Sequence, residues 1–309
     1  MSNRKATAAN LGPLARQYPE FALLMVPLLW GWGYPLIRES METTSPVVFL
    51  FWRFMIALVP LSFLYFKSII RSRRQIWKPG IITGIFLFLA YLFLNWGLTY
   101  TTTSKAGFII GFRVIIVPIA GLLLYGYHVQ RLVWIAAALA VAGLGFIFFG
   151  EGIALNQVNP GDGIMLLSAA AFAMHILLIS KYSAHVNPDM FMFVQIATVT
   201  VCSGAGMLFS APAAFPAESI VWKHLLITGV FSTALAYFIQ NRMQYYTTAN
   251  KTSIVFLSES LFAAFFGFLY LAEMLHGWQW AGAILILGAL FLAQKRSINR
   301  RSSISGHDG

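Results

Sequence analysis

The sequence contains an internal repeat, and this repeat constrains the fold more than any other feature. Eight positions in residues 235–251 match eight positions in residues 89–105 at a constant offset of 146, without a gap. The matched residues of the first copy are Leu89, Ala90, Tyr91, Asn95, Tyr100, Thr101, Thr102 and Lys105. Because so many matches in one register are hard to obtain by chance, the sequence predicts two copies of one structural unit.

The composition places both copies in a membrane. Hydrophobic residues make up 59% of the 309 residues and charged residues only 10%, against about a quarter charged in soluble domains. A membrane helix needs roughly 20 apolar residues, so the chain is long enough for ten helices joined by short loops. The predicted spans are 21–38, 46–66, 79–99, 104–125, 129–149, 163–181, 189–209, 222–244, 252–273 and 277–295. The predicted fold is an all-α membrane protein with ten transmembrane helices.

These spans form two five-helix repeats between short tails. We expect a cytoplasmic N-terminal tail at 1–20, a first repeat at 21–150, a second repeat at 151–296 and a cytoplasmic C-terminal tail at 297–309. Sixteen Lys and Arg residues fall on the side of the termini and three on the other side. The positive-inside rule therefore predicts that both termini are cytoplasmic, and the resemblance described below implies a bacterial inner membrane. Because five is an odd number, the second repeat should be inverted, an arrangement typical of secondary transporters.

Two charged residues lie inside apolar runs at equivalent positions of the repeats, Arg113 and Glu259. An unpaired charge at the centre of a membrane helix costs about 2.5–3.5 kcal/mol, and such residues usually mark a functional site. Arg113 is a candidate for binding a carboxylate or another anion, and Glu259 for binding an amine or a coupled proton. The alternative is a salt bridge across the pseudo-two-fold axis that only joins the halves. Both interpretations hold if the pair opens during transport.

Polar residues also recur on one face of the third and eighth spans. Tyr91 and Asn95 are four residues apart, as are Tyr237 and Asn241, and residues at this spacing share a helix face. Such a stripe either lines a cavity or forms hydrogen bonds with a neighbouring helix. We include these four residues in the candidate substrate site.

Three further residues complete that candidate site. Gln244 adds an amide beside the second stripe, and Trp30 is a candidate wall for stacking against an aromatic substrate. His175 is the only histidine deep in a predicted span, where its ring either binds substrate, titrates, or bonds to a neighbouring helix.

Three other cations have less specific explanations. Arg53 lies close enough to a span end to extend its charge to the interface, or it belongs to the transport pathway. Lys105 and Lys251 open the fourth and ninth spans, where the helix dipole disfavours a cation. They either attract anions or anchor the helices at the interface.

Several chemistries have no motif in the sequence. There is no Walker loop, HExxH, GxSxG or CxxC, and Cys202 is the only cysteine. We therefore expect no catalytic residue, no metal site and no cofactor, and hence no enzyme. The net charge of +11 reflects membrane orientation, so we expect no nucleic-acid partner.

The residues from Leu29 to Gln294 resemble the drug/metabolite transporter superfamily, and specifically its EamA-type bacterial exporters. The motifs that carry the resemblance are Trp30-Gly31, Lys105 to Ile109, Val117-Pro118, Gly161-Asp162, Ala173 to Ile176, Gln195, Ala234 to Gln240, Gln244, Leu257 to Glu259, Phe262 to Ala264, Glu273, and Gln279 to Gly288. Arg113 is not a residue that the resemblance leads us to expect, so its role depends on this chain alone.

The resemblance implies ten spans around a central cavity built from spans one, three, four, six, eight and nine, with spans five and ten packed at the side. It implies an inner-membrane secondary transporter that works by alternating access. We expect export of amino acids or related small metabolites, with the lipid bilayer as surroundings and protons as a candidate coupling ion. The alternative within transport is uptake of a vitamin or nucleotide-like metabolite. A membrane-embedded enzyme with Glu259 or His175 as base, and a structural or receptor-like protein, are the alternatives outside it. The oligomeric state is left open.

Overall fold

The structure is a computed structural model that describes residues 18–70, 74–149, 160–210, 215–271 and 277–302. These residues fold into helices and contain no β-strand. We number the helices by the predicted spans that they contain. They are α1 (Pro19–Leu23 and Met25–Ser40), α2 (Pro46–Ile70), α3 (Trp77–Leu98), α4 (Thr103–Gly111 and Arg113–Tyr125), α5 (Arg131–Phe149), α6 (Pro160–Tyr182), α7 (Pro188–Ser210), α8 (Ser219–Ile227, Thr228–Leu235, Ala236–Met243 and Gln244–Tyr246), α9 (Ala249–Phe256 and Ser258–Leu271) and α10 (Gly277–Ser302).

Eight of the described helices are long and apolar enough to cross a membrane. Their mean hydropathy over the best window lies between 1.3 and 2.4. Two shorter apolar segments, Arg131–Phe146 in α5 and Trp280–Leu292 in α10, accompany them. The chain is therefore a multi-pass membrane protein.

The helices of the two halves pack in a pattern that repeats when the halves are exchanged. Helix α1 packs against α9, and its counterpart α6 packs against α4. In the same way α2 packs against α8 and α7 against α3, while α5 and α10 form a pair of their own. The two copies predicted from the repeat therefore correspond to two structural repeats that face each other.

Helices α4 and α9 are interrupted at nearly equivalent positions. The interruption follows Gly111 in α4 and Phe256 in α9. After the second interruption, the amide of Ser260 donates to the carbonyl of Leu257 at 3.1 Å, a three-residue spacing. The carbonyl of Phe256 is thereby free to accept a hydrogen bond from a side chain.

Candidate functional site

A small pocket lies where the two repeats meet. Its lining residues are Trp30, Tyr34, Ile37, Arg53, Tyr91, Leu94, Phe172 and Glu259. The cavity has a volume of only about 10 Å³, which is close to the minimum that can hold one water molecule. In this conformation the free space in the pocket is smaller than an amino acid.

Arg113 and Glu259 form a buried ion pair beside this pocket. The two side chains are 1% and 5% exposed, and Nη2 of Arg113 donates to Oε2 of Glu259. The same nitrogen donates to the carbonyl of Phe256 at 2.7 Å, which is the carbonyl released by the interruption of α9. Arg113 thus neutralises a carboxylate of the other repeat, and it also caps the segment of α9 that ends at Phe256.

The equivalent residues Tyr91 and Tyr237 also meet directly. The hydroxyl of Tyr237 donates to that of Tyr91 at 2.9 Å. Trp30 packs against Tyr237 with ring centroids 5.6 Å apart, and against Phe256 at 5.0 Å. Its indole nitrogen donates to the carbonyl of Ser232 at 3.0 Å. These aromatic rings form a rigid apolar surface that carries hydroxyl groups.

Helix α8 opens into a π-helix over Thr228–Leu235, opposite Trp30. Such segments are rare and recur at functional sites, because the wider turn changes which backbone groups are bonded within the helix. The carbonyl of Ser232 here accepts hydrogen bonds from the side chains of Trp30 and Arg53. The π-helical segment therefore supplies an acceptor to two side chains that line the pocket.

Arg53 is the second buried arginine of this region, with 1% of its surface exposed. Its Nε donates to the hydroxyl of Thr233 at 2.8 Å, and its Nη2 lies 3.3 Å from the carbonyl of Ser232 and 3.4 Å from the hydroxyl of Tyr91. Its guanidinium also lies over the ring of Tyr91, 4.5 Å from the centroid. The side chain is buried in the pocket wall and does not extend to the interface.

Three other residues of the candidate site hold neighbouring groups and do not line the pocket. Nε2 of His175 lies 2.8 Å from Oε1 of Gln195. The amide of Gln195 donates to Oδ1 of Asn241 at 3.0 Å. Asn95 donates to the carbonyl of Pro46 at 3.2 Å. This geometry is that of the helix-to-helix hydrogen bonds that the sequence left as an alternative.

Gln244 is bonded in the same manner. Its amide donates to the carbonyl of Ile176 at 2.7 Å and to the hydroxyl of Ser180 at 2.9 Å. The structure thus places Trp30, Tyr91 and Glu259 on the pocket, with Arg113 and Tyr237 in contact with them.

The sequence analysis did not include Tyr34, Ile37, Leu94 or Phe172 in the site, and it left Arg53 undecided. One signal was available for Tyr34, which follows Trp30 by four residues and so shares its helix face. Phe172 stands at the position of the second repeat that matches Trp30 at an offset of 142. Leu94 has no signal, because a leucine in an apolar helix is indistinguishable from one that faces lipid.

Ion pairs join the two repeats at two further places. Lys105, at the start of α4, lies 2.7 Å from Asp162 in the first turn of α6. Its counterpart Lys251, at the start of α9, lies 3.2 Å from Glu20 in the first turn of α1. Each carboxylate offsets the unfavourable placement of a cation at a helix N-terminus.

Comparison with known proteins agrees with this architecture. One solved crystal structure is similar to this chain, with a TM-score of 0.72 and 14% sequence identity. The match covers 93% of this chain and 99% of that chain. At that identity the likeness shows a shared fold.

Two of the relatives found by sequence carry the word transporter in their names. An "Uncharacterized transporter" of Archaeoglobus fulgidus is 33% identical over 281 residues, which cover 91% of this chain and 87% of the relative. The "Probable biotin transporter" of Pseudomonas aeruginosa is 26% identical over 236 residues, or 71% of this chain and 78% of the relative. The model of the EamA-like transporter family matches residues 17–149 and again residues 159–294. This chain is therefore a member of the EamA-like transporter family.

Proposed function

We propose that this protein is a secondary transporter of a bacterial inner membrane that exports amino acids or related small metabolites by alternating access. The observation that carries the proposal is the set of direct contacts between equivalent residues of the repeats. Arg113 meets Glu259 and Tyr91 meets Tyr237 beside one small pocket. A substrate that enters this pocket must separate groups of the two repeats, which couples binding to a movement of one repeat against the other.

The helix ends support an inverted relation between the repeats. The pair Lys251 and Glu20 joins the starts of α9 and α1, whereas Lys105 and Asp162 join the starts of α4 and α6. If successive helices cross the membrane in alternate directions, α1 and α9 start on one side and α4 and α6 on the other. The equivalent helices α1 and α6 then run in opposite directions, as inverted repeats require.

Uptake of a vitamin is the second candidate function. It is favoured by the likeness to the protein named as a probable biotin transporter. Inverted repeats permit either direction of flux, because the direction depends on the gradients across the membrane and not on the fold.

The test is solute flux in liposomes that contain only this protein. A panel of radiolabelled amino acids, nucleosides and vitamins, including biotin, is offered with and without a pH gradient. We expect one class of solute to be transported, and Glu259→Gln and Arg113→Ala to abolish most of that flux, because each leaves a buried charge without its partner. Replacement of the exposed Lys78 by Gln is the matched control and should leave the flux unchanged.

Flux is normalised to the amount of monodisperse protein in the liposomes, so that loss of folded protein is not counted as loss of transport. Dependence on the pH gradient would support proton coupling. If no solute moves faster than through protein-free liposomes, the transport function is wrong. If both variants transport at the native rate, the ion pair is only a structural link between the repeats.

A further inference from the structure

The two buried arginines of the pocket region differ in how their charge is balanced. Arg113 has the carboxylate of Glu259. Arg53 has hydrogen bonds to Thr233, Ser232 and Tyr91, all of which are neutral groups. No carboxylate of the described residues lies within ion-pair distance of Arg53. Its positive charge is therefore stabilised by dipoles and an aromatic face but is not neutralised.

The guanidinium of Arg53 also retains an unused donor. Its Nη1 is buried and has no hydrogen-bond partner among the described residues, as is also true of Nε and Nη1 of Arg113. The two arginines are therefore distinguished by charge balance and by position, since Arg53 lines the pocket and Arg113 lies beside it. A buried charge with an unsatisfied N–H group is strongly disfavoured unless an anion or water completes its environment. Arg53 lines the pocket, so a molecule bound there is in a position to supply the missing acceptor.

We propose that Arg53, and not Arg113, binds the carboxylate of the transported molecule. The proposal rests on the transport function proposed above and specifies its substrate class as small carboxylates with an apolar or aromatic body. The carboxylate replaces the missing partner of Nη1, and the rings of Trp30 and Phe172 border the same pocket. Glu259 is also on the pocket wall, so an amino acid has a partner for its ammonium group as well.

The test compares carboxylates with their own amides by equilibrium binding to the purified full-length protein. The probes are phenylalanine, leucine, biotin and nicotinate, each beside its carboxamide, and the measurement is isothermal titration in detergent. We expect the native protein to prefer at least one carboxylate over its amide. Arg53→Gln should weaken the binding of that carboxylate by about 25-fold or more and leave the affinity for the amide nearly unchanged.

Arg53→Lys keeps the positive charge and should retain part of the preference for the carboxylate, whereas a purely structural role would make both variants lose all ligands equally. Thermal unfolding of each variant establishes that it is folded before titration. If the native protein prefers no carboxylate over its amide, or if Arg53→Gln keeps the preference, the proposal is wrong. Flux of a solute that lacks a carboxylate would refute this assignment while leaving the transport function intact.

A second inference concerns the two ion pairs at the helix starts. Lys105 belongs to the first repeat and Asp162 to the second, while Lys251 belongs to the second and Glu20 to the first. Both pairs therefore bridge the repeats. All four side chains are largely buried, with exposures of 7% and 10% in the first pair and 25% and 9% in the second.

The local structure holds the two lysines in equivalent ways. The hydroxyl of Thr102 accepts a hydrogen bond from the amide of Lys105 at 3.2 Å, and that of Thr248 from the amide of Lys251 at 3.3 Å. Each lysine is thus fixed in the first turn of its helix, where the N-terminal dipole enhances attraction to a carboxylate.

We infer that these ion pairs are the two gates of the transporter, one on each side of the membrane. Both pairs are formed together in this structure, in which the pocket between the repeats is small. When one repeat rocks against the other, the repeats move apart at one ion pair and closer together at the other. One pair then breaks while the other stays closed, as alternating access requires.

The test measures access to a cysteine placed in the pocket. Leu94→Cys, in a Cys202→Ser background, is labelled with a membrane-impermeant maleimide in right-side-out or inside-out vesicles. We expect Lys105→Gln to raise the labelling rate about tenfold from one side only, and Lys251→Gln to raise it about tenfold from the opposite side, because each removes one attraction that closes a gate.

Asp162→Asn should raise the labelling rate from the same side as Lys105→Gln, and Glu20→Gln from the same side as Lys251→Gln. Lys105→Arg and Lys251→Arg keep the charge and serve as matched controls with nearly native labelling. An increase from the same side in both lysine variants would contradict the assignment, as would native labelling in all four neutral variants.

Discussion

At the scale of single residues, the central feature is a charged pair kept in an apolar interior. Burial removes hydration from both Arg113 and Glu259, and the attraction between them roughly restores what each loses. The pair therefore adds little net stability by itself, but either member alone is strongly unfavourable. The hydrogen bond from Arg113 to the carbonyl of Phe256 adds a second constraint, since it holds the interruption of α9 in place.

This asymmetry leads to an expectation for a double-mutant cycle. Arg113→Gln and Glu259→Gln should each lower the free energy of unfolding by about 3–5 kcal/mol, because each leaves an uncompensated buried charge. The double variant should lose less than the sum of the two losses, since no charge remains. Equilibrium unfolding in mixed micelles measures all four proteins. Additive losses would show that the two side chains are not coupled energetically.

At the scale of helices, irregular segments and close contacts shape the site. The carbonyl of Ser232 in the π-helix of α8 and that of Phe256 at the interruption of α9 each accept a hydrogen bond from a side chain of another helix. Helix α1 reaches this region by direct backbone contact with α9. A Cβ atom at Gly31 would lie 2.5 Å from Cβ of Phe262 and 2.9 Å from the backbone nitrogen of Ala263.

We expect Gly31→Ala to lower the stability, because the atoms that it would meet are backbone atoms and a Cβ, which cannot rotate away. Overpacking of this kind costs about 1–3 kcal/mol, against a helix-propensity gain of about 1 kcal/mol. Gly145→Ala in α5 is the matched control, since a Cβ there meets nothing within 4 Å. Thermal unfolding in detergent should show a lower Tm for Gly31→Ala and an unchanged or higher Tm for Gly145→Ala. Equal Tm values would mean that α1 and α9 move apart to accommodate the added methyl group without a loss of stability.

At the scale of the whole molecule, the main contacts between helices of the two repeats have equivalent contacts when the repeats are interchanged. The first helix of each repeat packs on the fourth helix of the other repeat, so α1 meets α9 and α6 meets α4. The pocket, the tyrosine pair and the central ion pair lie at this shared interface. Helices α5 and α10 pack on each other, as the resemblance to the family implied for spans five and ten. A movement between repeats therefore acts on the pocket and on both gates together.

The sequence by itself determined the membrane class, the two repeats and the family. Hydropathy is readable within windows of about 20 residues, and a duplication is visible as a constant offset, so neither needs knowledge of distant contacts. Eight of the ten predicted spans correspond to described helices that are long and apolar enough to cross a membrane, and the fifth and tenth correspond to shorter apolar segments. The family assignment is confirmed by the match over both repeats. The offset even paired Arg113 with Glu259 and Tyr91 with Tyr237, and the structure brings both pairs into contact.

The tertiary structure alone decided which cation is neutralised and which is not. Sequence analysis left Arg113 between an anion site and a salt bridge with Glu259, and Arg53 between an interfacial and a functional role. In the structure the carboxylate of Glu259 balances Arg113. The partners of Lys105 and Lys251, and the hydrogen bonds of His175 and Gln244, are likewise set by neighbouring helices. The physical reason is that the charge balance of a buried group depends on all groups around it in space, and these come from helices far apart in the chain.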